Sequence, residues 1–265
     1  MTRNLILLPA CLLIALPGCM TDDRWKLATE IEQSIALTSF PADTFNIEDF
    51  GAVADDTSIL NTDAIEAAIM TCYSGGGGVV YVPDGTWHTG PITLMSNINL
   101  HLSEKATLLF SVDYELYLPP VLTRWEGMDC YNIHPLIYAI DASNIALTGK
   151  GTIDGQASNE AWWWMNGNPD YGWRESMNNQ KISGRAQLLA HEQNQTPVRD
   201  RIFGLEGALR PQLINFNNCN TVLIEDLTLK NSPFWVVHPV RTDNFILRGV
   251  NIISAGPNSD GCDPE

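Results

Sequence analysis

Four times along the 265-residue chain an asparagine heads a short run in which aliphatic and polar residues alternate: Asn97-Ile98-Asn99-Leu100-His101-Leu102, Asn144-Ile145-Ala146-Leu147-Thr148, Asn220-Thr221-Val222-Leu223-Ile224 and Asn244-Phe245-Ile246-Leu247-Arg248. The heads at Asn220 and Asn244 are separated by one step, and the gaps from Asn97 to Asn144 and from Asn144 to Asn220 are near two and three such steps. Alternation inside each run is the side-chain period of a strand. Recurrence at one step marks a solenoid, in which each repeat buries its apolar face only against the repeats beside it. Strands this short, separated by Asn and Gly turns and returning after one circuit, predict an all-β chain, a right-handed parallel β-helix with each coil laid on the last.

Upstream, Arg3 and the amino terminus precede an apolar run from Leu5 to Leu16, the length of a signal-peptide core and too short to span a bilayer as a helix. It closes on Leu16-Pro17-Gly18-Cys19, which resembles a bacterial lipobox. Residues 1–18 are therefore expected to be a lipoprotein-type signal and Cys19 the lipidated residue, an ordinary secretory signal being the other reading. Export to the periplasm or outer membrane follows, with the membrane met only through that anchor. Residues 19–44 read as a polar tether, helical from Trp25 to Ile35, and 45–265 as the β-helix. There, Asn61 or Thr62 is placed to cap a helix running to about Tyr73, with Ala64, Ile65, Ala68 and Ile69 at helical spacing. This helix is expected to cover the N-terminal edge of the solenoid. Gly75 to Gly78 lead into the strand Val79–Val82, which argues against a phosphate loop, whose glycines open a helix.

Charge narrows the partners. With 15 Lys+Arg against 31 Asp+Glu the formal net charge is −16, and a nucleic-acid partner is excluded because its phosphates call for clustered cations. Cys72, Cys130, Cys219 and Cys262 stand in the exported body; their spacings do not resemble a zinc site, and a domain of this size does not need a disulfide framework. The period breaks between Asp170 and Leu209, where Arg174, Lys181, Arg185, Arg199 and Arg201 appear, with Arg210 beside them. Insertions in a solenoid gather on one face, often the binding face. A solvated excursion with no role is the alternative.

Several segments carry a resemblance. Phe45–Val53, Asn61-Thr62-Asp63-Ala64-Ile65 and Gly76–Pro83 resemble the N-terminal part of pectin-lyase-like β-helix proteins, a fold that tailspikes, lyases and hydrolases share. Gly90-Pro91-Ile92, Arg124-Trp125-Glu126-Gly127, Gly149–Gly155, Arg210-Pro211, Asn231-Ser232-Pro233-Phe234-Trp235 and Pro257–Glu265 together resemble the polygalacturonases, family 28 of the glycoside hydrolases, and within it the exo-acting bacterial branch. The resemblance implies hydrolysis of α-1,4 bonds in pectic polygalacturonate with inversion, by carboxylates and water, without cofactor or metal. A monomer is expected.

In Asn258-Ser259-Asp260-Gly261 the resemblance puts Asp260 on the water-activating side, with Asn258 as a sugar contact. Asp263 matches a second acidic position, or holds the turn by accepting backbone N–H groups. His238, close to one repeat step before Asp260, either lines the sugar site from a neighbouring coil or is a packing residue in an apolar run. Arg210 is expected to pair with uronate carboxylates, since a polyanion approaching this acidic chain needs local cations. Trp162-Trp163-Trp164 stack on sugar or clamp a loop onto the solenoid. An Asp-Asp pair, a Gly-His-Gly and an Arg-x-Lys, which the resemblance puts on later coils, do not occur in matching context. The chain is therefore expected to be an N-terminal fragment, its C-terminal coils missing, and inactive as it stands. Two other functions compete: a calcium-dependent pectate lyase, which needs clustered carboxylates with a basic residue on one face, and a non-catalytic β-helix that binds glycan or serves as a scaffold.

Overall fold

The computed structural model describes residues 23–265, so the signal, the lipobox and Cys19 lie outside the described residues. The chain divides into two compact units, Met1–Ile35 and Ala36–Glu265. What is described of the first is one helix, Asp23–Ser34, with Lys26 and Glu30 paired across a turn at 3.7 Å.

In the second unit three parallel sheets wind around one core. The first stacks Thr44–Asn46, Gly78–Val82, Ile98–Leu102, Ser143–Gly149, Asn220–Glu225 and Asp243–Arg248. The second stacks Gly85–Thr89, Ala106–Phe110, Thr152–Asp154, Thr228–Lys230 and Asn251–Ile253. The third stacks Ile92–Thr93, Ile137–Ile140, Ile214–Asn217 and Val237–Val240. This is the parallel β-helix that the repeat predicts.

In-register pairing lines up like with like. Val80, Leu100, Leu147 and Ile224 form an inward column in the first sheet, Trp87, Leu108, Ile153 and Leu229 in the second, and Ile92, Ile137, Ile214 and Val237 in the third. All twelve are fully buried, each stabilising the coil stack by roughly 1.5–3 kcal/mol relative to exposure. Asn97, Asn144 and Asn244 turn the chain into the first sheet at φ +64°, +57° and +52°. Asn tolerates this left-handed region better than other non-glycine residues, which is why it heads the runs; at the remaining head the left-handed residue is Thr221. The amides also ladder, Asn144 Nδ2 donating to Asn97 Oδ1 and Asn244 Nδ2 to Asn220 Oδ1. At Gly149, φ is +105° and a Cβ would lie 1.9 Å from the carbonyl oxygen of Leu102, so no other residue fits between these coils.

The helix Thr62–Ser74 buries Ile65, Ala68, Ile69 and Cys72, an i, i+3, i+4, i+7 stripe, in the solenoid core. Neither of the two expected caps serves: Asn61 precedes the helix without a side-chain cap bond, and Thr62 Oγ1 accepts from Gly90 N instead. The Asn61 amide is buried and pins loops, accepting from Val53 N and donating to the carbonyls of Val53 and His88.

A second correction concerns residues 36–44, read as the end of a tether. They lie along the first sheet. Ala36 N donates to Asn244 Oδ1 at 3.2 Å, Ser39 N donates to Asn144 Oδ1 at 2.9 Å, and Asn144 Nδ2 donates back to Ser39 O at 2.8 Å. Val79 N donates to Asp43 O, and Thr44 opens the first strand. Asn244 and Asn144 stand two strands apart, about 10 Å at normal strand spacing; three extended residues reach about 10 Å, so the segment runs straight across the coils. Replacing Asn144 by Gly, which accepts the same φ, is expected to lower stability by about 1–2 kcal/mol in urea melts. Amide exchange at Ser39 should accelerate with it, and an unchanged melt would mean the segment is not held by this side chain.

Candidate active site

The site is built on the outward face of the third sheet. Register places Thr93, Tyr138, Asn215 and His238 in one outward column. Residues 260–265 extend it: Val236 and Val237 donate to the carbonyls of Asp260 and Gly261, Asp263 N donates to Val237 O, and Val237 bridges Cys262. Asp263 therefore follows His238 in the column. Glu265 lies two residues on, its backbone N donating to Pro239 O.

An antiparallel hairpin, Val121–Trp125 with Met128–Asn132, lies over the earlier members of that column. Tyr138 OH donates to Leu122 O, Thr123 Oγ1 to Asn215 Oδ1 and Gln212 Nε2 to Arg124 O. Behind the hairpin, Leu188, Phe203 and Leu209 of the 170–209 insertion pack with Trp125, Cys130 and Phe234 into a second apolar cluster. Tyr138, Asn215 and His238 are buried beneath this wall, while Asp260 at its far edge is exposed.

His238 is held on both nitrogens. Asn215 Nδ2 donates to Nδ1 at 3.0 Å, which leaves the proton on Nε2 to donate to Glu265 Oε2 at 3.0 Å. Burial lowers its pKa against the pull of Glu265, so the ring stays neutral. The same Glu265 oxygen lies 3.3 Å from Arg124 Nε, and Arg124 meets Asp129 at 3.0 Å, which Arg241 also meets at 3.0 Å. Burial would raise the Asp129 carboxyl, but hydrogen bonds from Arg241 and Arg124 overcome this and hold it below its ordinary value.

Asp260 and Asp263 differ. The Asp260 carboxylate makes no hydrogen bond among the described residues and faces solvent. Asp263 has its Oδ2 buried without a partner. Burial, with the Asp260 and Glu265 carboxylates adding to it, pushes its pKa up to about 6. The turn-holding reading fails here, since among the described residues no backbone N–H reaches the Asp263 carboxyl.

The loop before Asp260 is tied down. Asn258, at φ +56°, accepts on Oδ1 from Arg210 at 2.8 Å and from Asn166 Nδ2 at 3.3 Å. Ser259 Oγ donates to Gly256 O at 2.7 Å, so the hydroxyl of the motif is a loop tie. Trp163 lies against Gly256, where a Cβ would fall 2.3 Å from Nε1, and donates to Ser232 O. Trp162 is buried against Tyr114 and Tyr117, and Trp164 Nε1 donates to Tyr114 OH, so the tryptophan triplet clamps loops.

Arg210 is a correction. Expected to meet substrate, it is fully buried, and its guanidinium is spent on Gln180, Pro233, Pro257 and Asn258. Arg185 and Arg201 of the insertion are likewise engaged, with Glu126 and Glu192, leaving Arg174, Lys181 and Arg199 as its exposed cations. The structure thus gathers Asp260, Asp263, Asn258 and His238 at one edge, with Arg210 behind them. It adds Glu265, Arg124 and Asn215. For Asn215 the sequence signal was register, since Asn215, His238 and Asp263 follow one another at close to one repeat step. A hollow of about 520 Å³ lies elsewhere, lined by Glu66, Thr93 and His134, and contains none of these groups. Among the described residues no group of three or more His, Cys, Asp or Glu side chains is placed to hold a metal ion.

No protein-family model matches the chain. A crystal structure of a hyperthermoactive exopolygalacturonase from Thermotoga maritima superposes with a TM-score of 0.87 at 42% identity, covering 91% of this chain and 53% of that one. A probable polygalacturonase of Vitis vinifera is 31% identical over 234 residues, 84% of this chain and 40% of the relative. An exo-poly-alpha-D-galacturonosidase of Dickeya chrysanthemi is 36% identical over 118 residues, 42% of this chain and 19% of the relative. The chain thus spans about half the length of the solved structure, and less of the two sequence relatives.

Asp263 makes the site's stability pH-dependent. Below about pH 3 the carboxyl is protonated folded and unfolded alike, so it contributes nothing. As the pH rises toward about 6, the unfolded chain ionises while the folded one resists, and stability falls, the loss staying constant above that. Asp263→Asn should therefore raise the melting temperature at pH 8 and leave it unchanged at pH 3; equal shifts at both would refute the raised pKa.

Proposed function

We propose, from the premise that this chain belongs to the polygalacturonase family of parallel β-helix glycoside hydrolases, that its coils carry the water-activating side of a site hydrolysing α-1,4-galacturonosidic bonds from a chain end. The observation that carries this is the position of Asp260. Its carboxylate makes no hydrogen bond among the described residues and stands beside the outward column of Asn215, His238 and Asp263, on a loop fixed by Asn258 and Ser259.

An inverting hydrolysis needs an ionised carboxylate to take a proton from water on one face of the sugar and a protonated carboxyl at the leaving oxygen on the other. Asp260 is assigned the first role. Water attacks the anomeric carbon as Asp260 takes its proton, and the glycosidic oxygen leaves with a proton from the acid. The acid is assigned to no residue of this chain. Asp263, raised to about 6, limits below that pH how much negative charge gathers beside Asp260. His238, neutral and buried, supports Glu265 from below and is a packing residue.

Exo action is supported by the wall. A polymer lying along the whole third sheet would have to cross Tyr138 and Asn215, which the hairpin buries. The likeness to the Thermotoga exopolygalacturonase supports the same reading. Attachment at Cys19 after export remains part of the proposal, and no cofactor is invoked.

In the protein that carries these coils, de-esterified polygalacturonate should yield new reducing ends as small products from the first minutes, without the ultraviolet band of an unsaturated uronide. Asp260→Asn should lower kcat roughly 10²- to 10⁴-fold. The ultraviolet band would mean elimination and sink the hydrolase reading; an early ladder of mixed lengths would sink exo action.

A further inference from the structure

We infer that Arg210 is the positioning residue of the Asp260 loop, a buried cation that locks two successive coil corners and the insertion to one another. Its bearing on catalysis rests on the hydrolase reading above; its bearing on the loop does not.

Nε donates to Gln180 Oε1 at 3.0 Å, from the insertion. Nη1 donates to Pro233 O at 3.0 Å and to Pro257 O at 2.6 Å, and Nη2 to Asn258 Oδ1 at 2.8 Å. Pro233 and Pro257 are separated by the same step as the heads Asn220 and Asn244, so they are the same corner on consecutive coils. One guanidinium therefore fills four of its five N–H bonds across three separate segments.

The charge itself has no carboxylate within 4 Å among the described residues. Burial pushes the guanidinium down to about 9, still charged at neutral pH. A buried cation of this kind is tolerable only while its donors are satisfied, so the four acceptors are held in place by the cost of releasing any of them. Two are Pro257 O and Asn258 Oδ1, which fix the left-handed turn at Asn258, two residues before Asp260. The guanidinium carbon also lies over the Phe234 ring, 4.9 Å from its centroid, and Phe234 stacks on Trp235, whose ring meets His238 edge-on. The loop and the outward column thus share one anchor. Lysine would keep the charge but cannot present a planar fork to carbonyls on two coils and an amide on a third segment.

In the protein that carries these coils, the test compares wild type, Arg210→Lys, Asn258→Ala and the double variant by amide exchange and by kinetics on polygalacturonate. The reporters are the amides of Val236 and Val237, which donate to Asp260 O and Gly261 O, and of Asp263, which donates to Val237 O. Each single variant is expected to speed their exchange roughly tenfold, and the double variant no more than the faster single, because both remove the same tie. Exchange in Ser143–Gly149 should not change. Arg210→Lys should lower kcat at least tenfold with KM within twofold, the mark of a misplaced loop rather than a lost sugar contact. Unchanged exchange at the reporters, or additive effects in the double variant, would overturn the proposal; a raised KM at constant kcat would return Arg210 to substrate binding. If Arg210→Lys does not fold, Asn258→Ala and Gln180→Met, each removing one acceptor, decide by the same reporters. Should the wild type hydrolyse nothing, the functional reading falls while the exchange data still judge the clamp.

Discussion

In-register backbone pairing between successive coils is the constraint on which the rest depends. A strand in this solenoid satisfies its N–H and C=O groups only through the coils above and below it, and any shift would turn the aliphatic columns outward. Inside, the register stacks Ile92, Ile137, Ile214 and Val237. Outside, it sets Asn215, His238 and Asp263 at the spacing of neighbouring strands without any local motif to do so. A site made this way inherits its precision from the core.

Two apolar clusters divide the labour. The larger fills the coils; the smaller, Trp125, Cys130, Leu188, Phe203, Leu209 and Phe234, binds the hairpin and the insertion to the outer face. Hydrogen bonds between polar groups, such as Tyr138 to Leu122 and Thr123 to Asn215, join the wall to the sheet. The wall can therefore differ in shape without disturbing the columns beneath it. The wall covers Tyr138, Asn215 and His238 on the outer face, while Asp260 stays exposed beside it.

Much of the fold was legible in the sequence because a solenoid writes its period into the chain. The heads at Asn97, Asn144 and Asn244 all proved to be left-handed turns, and the stripe at Ile65, Ala68, Ile69 and Cys72 packs as its spacing indicates. The site was legible in part. Asp260 and Asn258 stand in a local motif, but Arg124 and Glu265 meet from opposite ends of the later half of the chain, and no periodic signal joins a hairpin to a coil. Arg210 was misread because sequence shows a cation's charge and not its burial. Asn61 was misread for a similar reason: an amide at a helix start is a cap by local rule, yet two distant carbonyls compete for it and win. The segment after Ile35 carries no period of its own, and its partners are side chains of turns far along the chain.

That segment changes what kind of system the solenoid is. A stack of coils with contacts only between neighbours behaves as a one-dimensional array, in which the outermost members fray first and a break at one point leaves the two sides indifferent to each other. By joining Ala36 to Asn244 and Ser39 to Asn144 before entering the sheet at Thr44, the chain lays a connection across several members at once. Loss of the coil that carries Asn244 is then felt at the first strand, and melting of the first strand loosens the coil of Asn244. The array acquires a long-range term, and with it a tendency to open as a whole.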